Sequence, residues 1–201
     1  KDMGREEHFE KTEVAVYFGK PGQSASDPFF DGKGPERTGC THCGACMTGC
    51  NVGAKNTLDR NYLYLAEQLG CRVEAETECT RVVPRDGGGY VVETKESFGK
   101  ATRRFTADKV IFAGGVMGTL PLLLSLKEDS LPKLSDTLGA KVRTNSEALI
   151  AVVSPDPEVD FSRGVAITSI LHTDEHSHVE PVRYGRGSGF FRTMLLPHAP
   201  G

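Results

Sequence analysis

Lys109-Val110-Ile111-Phe112-Ala113-Gly114-Gly115-Val116-Met117-Gly118-Thr119 runs from a strand-like segment through glycines into a helix start. Lys109 to Ala113 ends in a continuous apolar run, which suits a strand buried on both faces of a sheet. Gly114 to Gly118 then form a turn. Thr119 is placed to cap a helix, and Pro121 in its first turn precedes Leu122, Leu123, Leu124 and Leu126. A strand, a turn and a helix in that order put the helix N-terminus at the strand's carboxyl end, where nucleotides bind in doubly wound sheets. No stretch meets the dinucleotide spacing G-x-G-x-x-G, so the same glycines also read as a tight turn for close strand–helix packing.

Upstream of this unit the pattern is one of short strands. Cys71 to Ala75, Cys79 to Val83, Tyr90 to Thr94 and Arg103 to Thr106 read as strands, with a hairpin turn at Asp86-Gly87-Gly88-Gly89. Before them, Thr57 to Leu69 reads as a helix ended by Gly70. Its residues Leu58, Tyr62, Leu65, Ala66 and Leu69 fall on one face, which is expected to point inward. Val14 to Phe18 reads as a strand, and the Gly-, Pro-, Ser- and Asp-rich stretch from Gly19 to Gly39 as a surface connection. Downstream, a short helix is expected at Leu134–Leu138 and strands of a second sheet at Glu147–Val153 and Val165–Leu171. Gly185-Arg186-Gly187-Ser188-Gly189 reads as a loop, followed by the apolar Met194-Leu195-Leu196.

Four of the six cysteines, Cys40, Cys43, Cys46 and Cys50, lie within eleven residues in the spacing C-x2-C-x2-C-x3-C. Bacterial ferredoxins hold an iron–sulfur cluster with this spacing, except that Asn51 stands where their proline would be. Gaps this short let successive sulfurs converge on one centre, about 2.3 Å from a metal such as zinc. Gly44 and Gly49 supply the backbone freedom for the wrap. Disulfides within so short a loop would be strained, because bridged Cα atoms must lie roughly 4.4–6.8 Å apart. An iron–sulfur or metal site, a cluster of reduced thiols and disulfides all remain open at this point; thiols gathered together and unbridged are the expectation.

The chain has 201 residues, long enough to bury roughly 70% of its unfolded surface without staples. Its net charge is −3, and no basic run exceeds Arg103-Arg104, so nothing presents a nucleic-acid face. No apolar run approaches the ~20 residues of a membrane helix. The opening Lys1-Asp2-Met3-Gly4-Arg5-Glu6-Glu7 has no signal-peptide character. With clustered cysteines this points to a reducing, cytoplasmic location. The absence of an initiating methionine suggests a piece of something longer.

Other candidates are weaker. His172, His176 and His178, with Asp174, Glu175 and Glu180, carry groups that suit zinc but match no metal spacing, so a solvated loop is expected there. No G-x-S-x-G elbow is present. Glu180 is held extended by Pro181, and burial would make such a carboxylate a base.

Several stretches together resemble one family. They are Cys43-Gly44-Ala45-Cys46-Met47-Thr48-Gly49-Cys50, Gly53-Ala54-Lys55-Asn56-Thr57-Leu58, Asn61-Tyr62-Leu63-Tyr64-Leu65-Ala66-Glu67, and Ala107 through Thr119. Val142-Arg143-Thr144-Asn145-Ser146-Glu147 and His178-Val179-Glu180-Pro181-Val182-Arg183-Tyr184-Gly185 continue the likeness in order. The set is similar to the bacterial cholesterol-oxidase-like branch of the glucose–methanol–choline flavin oxidoreductases and covers most of residues 10–190. The resemblance implies an α/β chain: part of a Rossmann-type FAD domain interleaved with a sheet-based substrate domain. It divides the chain into a Cys-rich substrate-domain segment (1–55), an FAD-domain segment (56–145) and the start of the substrate sheet (146–201). It implies an enzyme that takes a hydride from an alcohol carbon, in the best-known members a 3β-hydroxysteroid, with the electron acceptor left open. Relatives carry an N-terminal G-x-G-x-x-G unit and a C-terminal catalytic His and Asn. Neither is present, so the chain looks like the middle of such an enzyme. By the resemblance, Cys79 lies on the strand whose backbone meets the adenine, and Ala113, Gly114 and Gly115 form a second flavin-side turn. Glu180 is the carboxylate over the substrate. Some relatives that pass electrons to cytochromes carry an iron–sulfur cluster near the cysteine stretch. The rival expectation is a small iron–sulfur or metal-binding electron-transfer protein built on Cys40–Cys50.

Overall fold

Asp86-Gly87-Gly88-Gly89 reverses the chain as a hairpin, and all three glycines take positive φ, from +76° to +108°. That conformation is open to glycine and strained for other residues. In this computed structural model, which describes residues 4–143 and 145–194, the elements in order are β1 (Phe9–Lys11), β2 (Ser24–Ala25), β3 (Arg37–Thr38), α1 (Tyr62–Gln68), β4 (Thr77–Pro84), β5 (Tyr90–Glu96), β6 (Thr102–Ala107), α2 (Gly115–Glu128), β7 (Ser169–His172) and β8 (His178–Val179). Short 3-10 turns lie at Glu6–His8, Ala45–Met47, Leu58–Arg60 and Ser188–Met194. The architecture is mixed, with small antiparallel sheets and two helices. The chain divides into two units, Lys1–Cys71 with Leu149–Gly201, and Arg72–Ala148. The expected apolar Leu195-Leu196, and Thr144 of the family-like stretch, lie outside the described residues.

The second unit is built on the hairpin. β4, β5 and β6 form an antiparallel sheet in sequence order, with Val82 opposite Val92 and Thr94 opposite Arg103. Burial along β4 alternates from Thr77 to Arg81, and the bulge after Cys79 then brings Val82 onto the same face as Cys79. Helix α2 covers that face. Val82 and Leu126 are fully buried, and the Ser130 hydroxyl donates to the Val82 carbonyl at 2.6 Å. On the outside, Arg81 bridges Asp129 at 2.5 Å and reaches Glu93, which also holds Arg104 at 2.9 Å. The Asp129 carboxyl is lowered by its hydrogen bonds to Arg81.

In the first unit β1, β7 and β8 form a second antiparallel sheet, with Phe9 opposite Leu171 and His172 opposite His178. Its core joins Cys40, Ala54 and Val165, with Val14, Val16, Cys46 and Cys50 packed on it. Arg37 is fully buried and Asp27 nearly so. The Asp27 carboxylate accepts from the N–H groups of Phe29, Phe30 and Gly34 at 2.8–3.0 Å, which closes the loop between β2 and β3.

Several expectations are corrected. Lys109–Ala113 is not a strand, and Ile111 is 89% exposed. An apolar run becomes a buried strand only with strands beside it and helices over it. The described sheet of this unit is a sequential antiparallel ladder that does not include it. The helix expected from Thr57 starts later: Leu58–Arg60 is a 3-10 turn, and the Asn61 side chain accepts from the Tyr62 N–H to begin α1. Its apolar face is not inward. Leu58, Tyr62 and Leu69 are exposed, and Leu65 is half-buried. Helical periodicity specifies a face, not the surface that covers it. Thr119 does not cap α2 from outside; the helix begins at Gly115, and the Thr119 hydroxyl accepts the Gly114 N–H at 2.9 Å. Cys71–Ala75 and Glu147–Val153 form no strand, and Val14–Phe18 is reduced to one bridge, Val16 to Lys55. Leu134–Leu138 is a series of turns, and the strand expected at Val165–Leu171 is shortened to β7.

Candidate functional site

The cysteine stretch is threaded between two other segments of its unit. The Cys40 N–H donates to the Tyr17 carbonyl at 3.0 Å, and the Tyr17 N–H to the Ala54 carbonyl at 2.9 Å. On the other side the Gly44 N–H donates to Gly164, and the Gly164 N–H to His42, both at 2.8 Å. Gly44 sits at φ +69°, and a Cβ there would lie 2.3 Å from the Ser162 carbonyl oxygen. Glycine is therefore required by conformation and by space. The Ala45–Met47 turn follows and carries Cys46 back over the core.

All four clustered cysteines are unbridged, and all four line one cavity of about 10 Å³. Cys40 is buried, Cys46 and Cys50 are half-buried, and Cys43 is exposed. Burial pushes the Cys40 thiol up, against the His42 N–H that its sulfur accepts at 3.4 Å. Burial also acts to raise Cys50, but the N–H groups of Lys55, Val52, Ala54 and Gly53 outweigh it and hold this thiol below its ordinary value. A thiol ringed by backbone donors resembles an anion-binding nest. His42 turns its ring onto Phe18, 5.9 Å between centroids. Among the described residues no three His, Cys, Asp or Glu side chains are grouped so as to hold a metal ion. The spacing that suggests a cluster thus gathers the thiols without presenting them as a ligand set.

The glycine turn takes a different form from the strand end expected of it. Ala113, Gly114 and Gly115 are exposed at the N-terminus of α2, a helix of 14 residues. Gly115 has φ +68° with open space where a Cβ would point. Beside it lies an open groove of about 520 Å³, walled by Phe112, Val116, Leu120, Leu123, Val142 and Arg143. A helix N-terminus offers free N–H groups and a partial positive charge to an anion. Apolar walls with one guanidinium suit a planar aromatic group that carries phosphate. The residues present therefore fit a flavin dinucleotide. Arg143, which the sequence shows only within a family-like stretch, and Leu120 and Leu123 were not expected as site residues. The leucines read as core, and a lone arginine in a turn carries no signal.

Cys79 is half-buried in β4, at a bulge where the pairing with β5 skips from Cys79 to Arg81. Burial raises its thiol. Glu180 is half-buried just after β8 and lies in the other unit. His172 and His178 pair across β7 and β8 with rings 5.9 Å apart, and His172 meets Glu10 at 3.3 Å. His176 is exposed at the turn between them.

Sequence reasoning also missed Arg37. Its Nη2 donates to the Asn56 side-chain oxygen at 2.7 Å and to the Arg60 carbonyl. Its guanidinium lies 5.2 Å from the centre of the Phe29 ring, and its Nε is buried without a partner. One arginine in a Gly- and Pro-rich stretch reads as a surface residue.

Comparison with known proteins bears on the whole chain. The GMC oxidoreductase family matches residues 35–126. A protein named cholesterol oxidase from Acinetobacter baumannii is 43% identical over 209 residues, covering 96% of this chain and 38% of that protein. One of the same name from Mycobacterium tuberculosis is 42% identical over 208 residues, covering 96% of this chain and 36% of that protein. The chain thus spans less than two fifths of the length of these relatives. No solved structure matches.

Proposed function

We propose, for a chain that belongs to the GMC oxidoreductase family, that it is the middle portion of an FAD-dependent enzyme oxidising an alcohol, with a 3β-hydroxysterol as substrate. The observation that carries this reading is the groove at the start of α2, in a chain similar along nearly its whole length to proteins named cholesterol oxidase. Ala113, Gly114 and Gly115 would hold the cofactor by main-chain N–H groups, and the absence of bulky side chains at the two glycines leaves room for close approach. Arg143 would meet its phosphates. The main chain at Cys79 would receive the adenine, a contact indifferent to the side chain. FAD, when bound, supplies the acceptor for the hydride that leaves the alcohol carbon.

Glu180 is assigned the substrate's hydroxyl proton. Its partial burial and the proline after it support a carboxylate held in a set direction rather than a freely solvated one. Residues 1–55 and 146–201 are assigned to the substrate domain and 56–145 to the FAD domain, the two interleaved along the chain. Six unbridged cysteines support a reducing, cytoplasmic compartment. No helix among the described residues is long and apolar enough to cross a membrane.

The test uses the full-length protein. It should bind FAD and oxidise a 3β-hydroxysterol. Glu180→Gln should lower kcat by roughly 10²–10⁴-fold, with FAD binding intact, because glutamine keeps the shape and loses the base. An unchanged kcat removes Glu180 from the mechanism, and failure to bind FAD removes the reading as a whole.

A further inference from the structure

The alcohol oxidation proposed above makes no use of the four clustered thiols. Cys40, Cys46 and Cys50 share one apolar cluster with Ala54 and Val165, and Cys43 joins them around the same cavity. That cavity is about the size of a single water. The four cysteines thus border one small space, and the His42 ring is turned onto Phe18. Cys46 and Cys50 both pack on the cluster that holds Cys40, and the Cys50 sulfur is taken up by the Lys55 N–H at 3.4 Å, which leaves Cys46 as the partner. The loop between the two contains Gly44 in the left-handed region, and Gly49 beyond it has φ +118° with open space around it.

We propose that Cys40 and Cys46 form an oxidisable dithiol, which hydrogen peroxide converts to a disulfide and a reducing thiol restores. Cys46 is the more accessible member, half-buried where Cys40 is buried, and reacts first. Its thiolate sulfur attacks one peroxide oxygen. An S–O bond forms, the O–O bond breaks, and the departing hydroxide takes up the thiol proton as water. The Cys40 sulfur then attacks the Cys46 sulfur. The S–S bond forms, the S–O bond breaks, and the second oxygen leaves as water with the Cys40 proton. In balance, two thiols lose two electrons and two protons, and one peroxide becomes two waters. The disulfide would pin the segment that carries Gly44 against Gly164.

Trypsin makes the test direct. Arg37 and Lys55 flank the stretch and neither Lys nor Arg lies between them, so one peptide, residues 38–55, carries all four thiols. The full-length protein is treated with hydrogen peroxide, quenched, alkylated, digested and weighed. The expected peptide has two alkyl groups and lacks two hydrogens, and returns to four alkyl groups after dithiothreitol. Fragmentation of the parental peptide assigns the bond without any variant. Cys43→Ser should keep the disulfide and Cys46→Ser should abolish it. Four alkyl groups after peroxide, oxygen addition to cysteine with no S–S bond, or a disulfide that survives Cys46→Ser would each overturn the proposal.

Discussion

Replacing Arg37 by alanine should destabilise the protein by about 2–4 kcal/mol, from the two acceptors it leaves unmet and the ring contact it loses. The magnitude follows from what the guanidinium touches. Its Nη2 serves the Asn56 side-chain oxygen and the Arg60 carbonyl, and Nη1 reaches the Lys55 carbonyl at a marginal 3.5 Å. Truncation leaves both acceptors unmet; each belongs to a half-buried residue and costs about 1–2 kcal/mol, the lower part of the range for buried groups. The stacking of Arg37 over the exposed Phe29 ring adds about 0.5–1 kcal/mol. Against this stands the relief of desolvation. The guanidinium is fully buried, its Nε has no partner, and burial lowers its pKa. Arg37→Lys should fall between parent and alanine, because an ammonium reaches one acceptor but cannot fork to several. Urea unfolding followed by circular dichroism measures this, and the midpoint should drop while the slope is unchanged. Arg37→Met gives the refuting arm. A methionine variant as stable as the parent, or more so, would mean that the charge's desolvation outweighs its bonds, and that Arg37 does not hold the 55–60 segment in place.

Other outcomes are specific. Gly44→Ala should cost at least about 2 kcal/mol, since the Cβ meets both the Ser162 carbonyl and an unfavourable φ, whereas Gly87→Ala, with open space around it, should cost about 1 kcal/mol; comparable losses at the two sites would refute the packing argument. Leu126→Ala should cost about 2–5 kcal/mol by thermal or urea unfolding, because its side chain is fully enclosed. Burial acts to raise the Asp27 carboxyl, but the N–H groups of Phe29, Gly34 and Phe30 and the charge of Arg37 outweigh it and leave its pKa lowered. Its contribution is therefore present above the unfolded carboxylate value of about 3.9 and is lost as pH falls through the lower folded value. Asp27→Asn should shrink the stability difference between neutral pH and the acid range; an acid-unfolding curve parallel to the parent's would count against it.

Local chemistry was legible in the sequence where neighbours along the chain decide the structure. The Asp86–Gly89 hairpin and the strands on either side of it follow from glycine's access to positive φ and from alternating β-formers. The glycine turn that opens α2 follows from the same freedom, although the helix begins four residues before Thr119. The short gaps from Cys40 to Cys50 gather the thiols because eleven residues with two glycines cannot spread them far. Tertiary structure decided the rest. Whether Lys109–Ala113 is a strand depends on strands beside it, and whether Leu58, Tyr62 and Leu69 are core depends on a surface to cover them; neither condition is written in the segments themselves. Arg37 is buried because Lys55, Asn56 and Arg60 fold back over it from about twenty residues away, a closure that no local pattern records. The groove at α2 likewise joins Phe112 to Arg143 across a helix, and the cysteine stretch takes its shape from Tyr17 and Gly164. Hydrogen bonds and burial between distant segments set these positions, and a sequence specifies them only once the whole chain has folded.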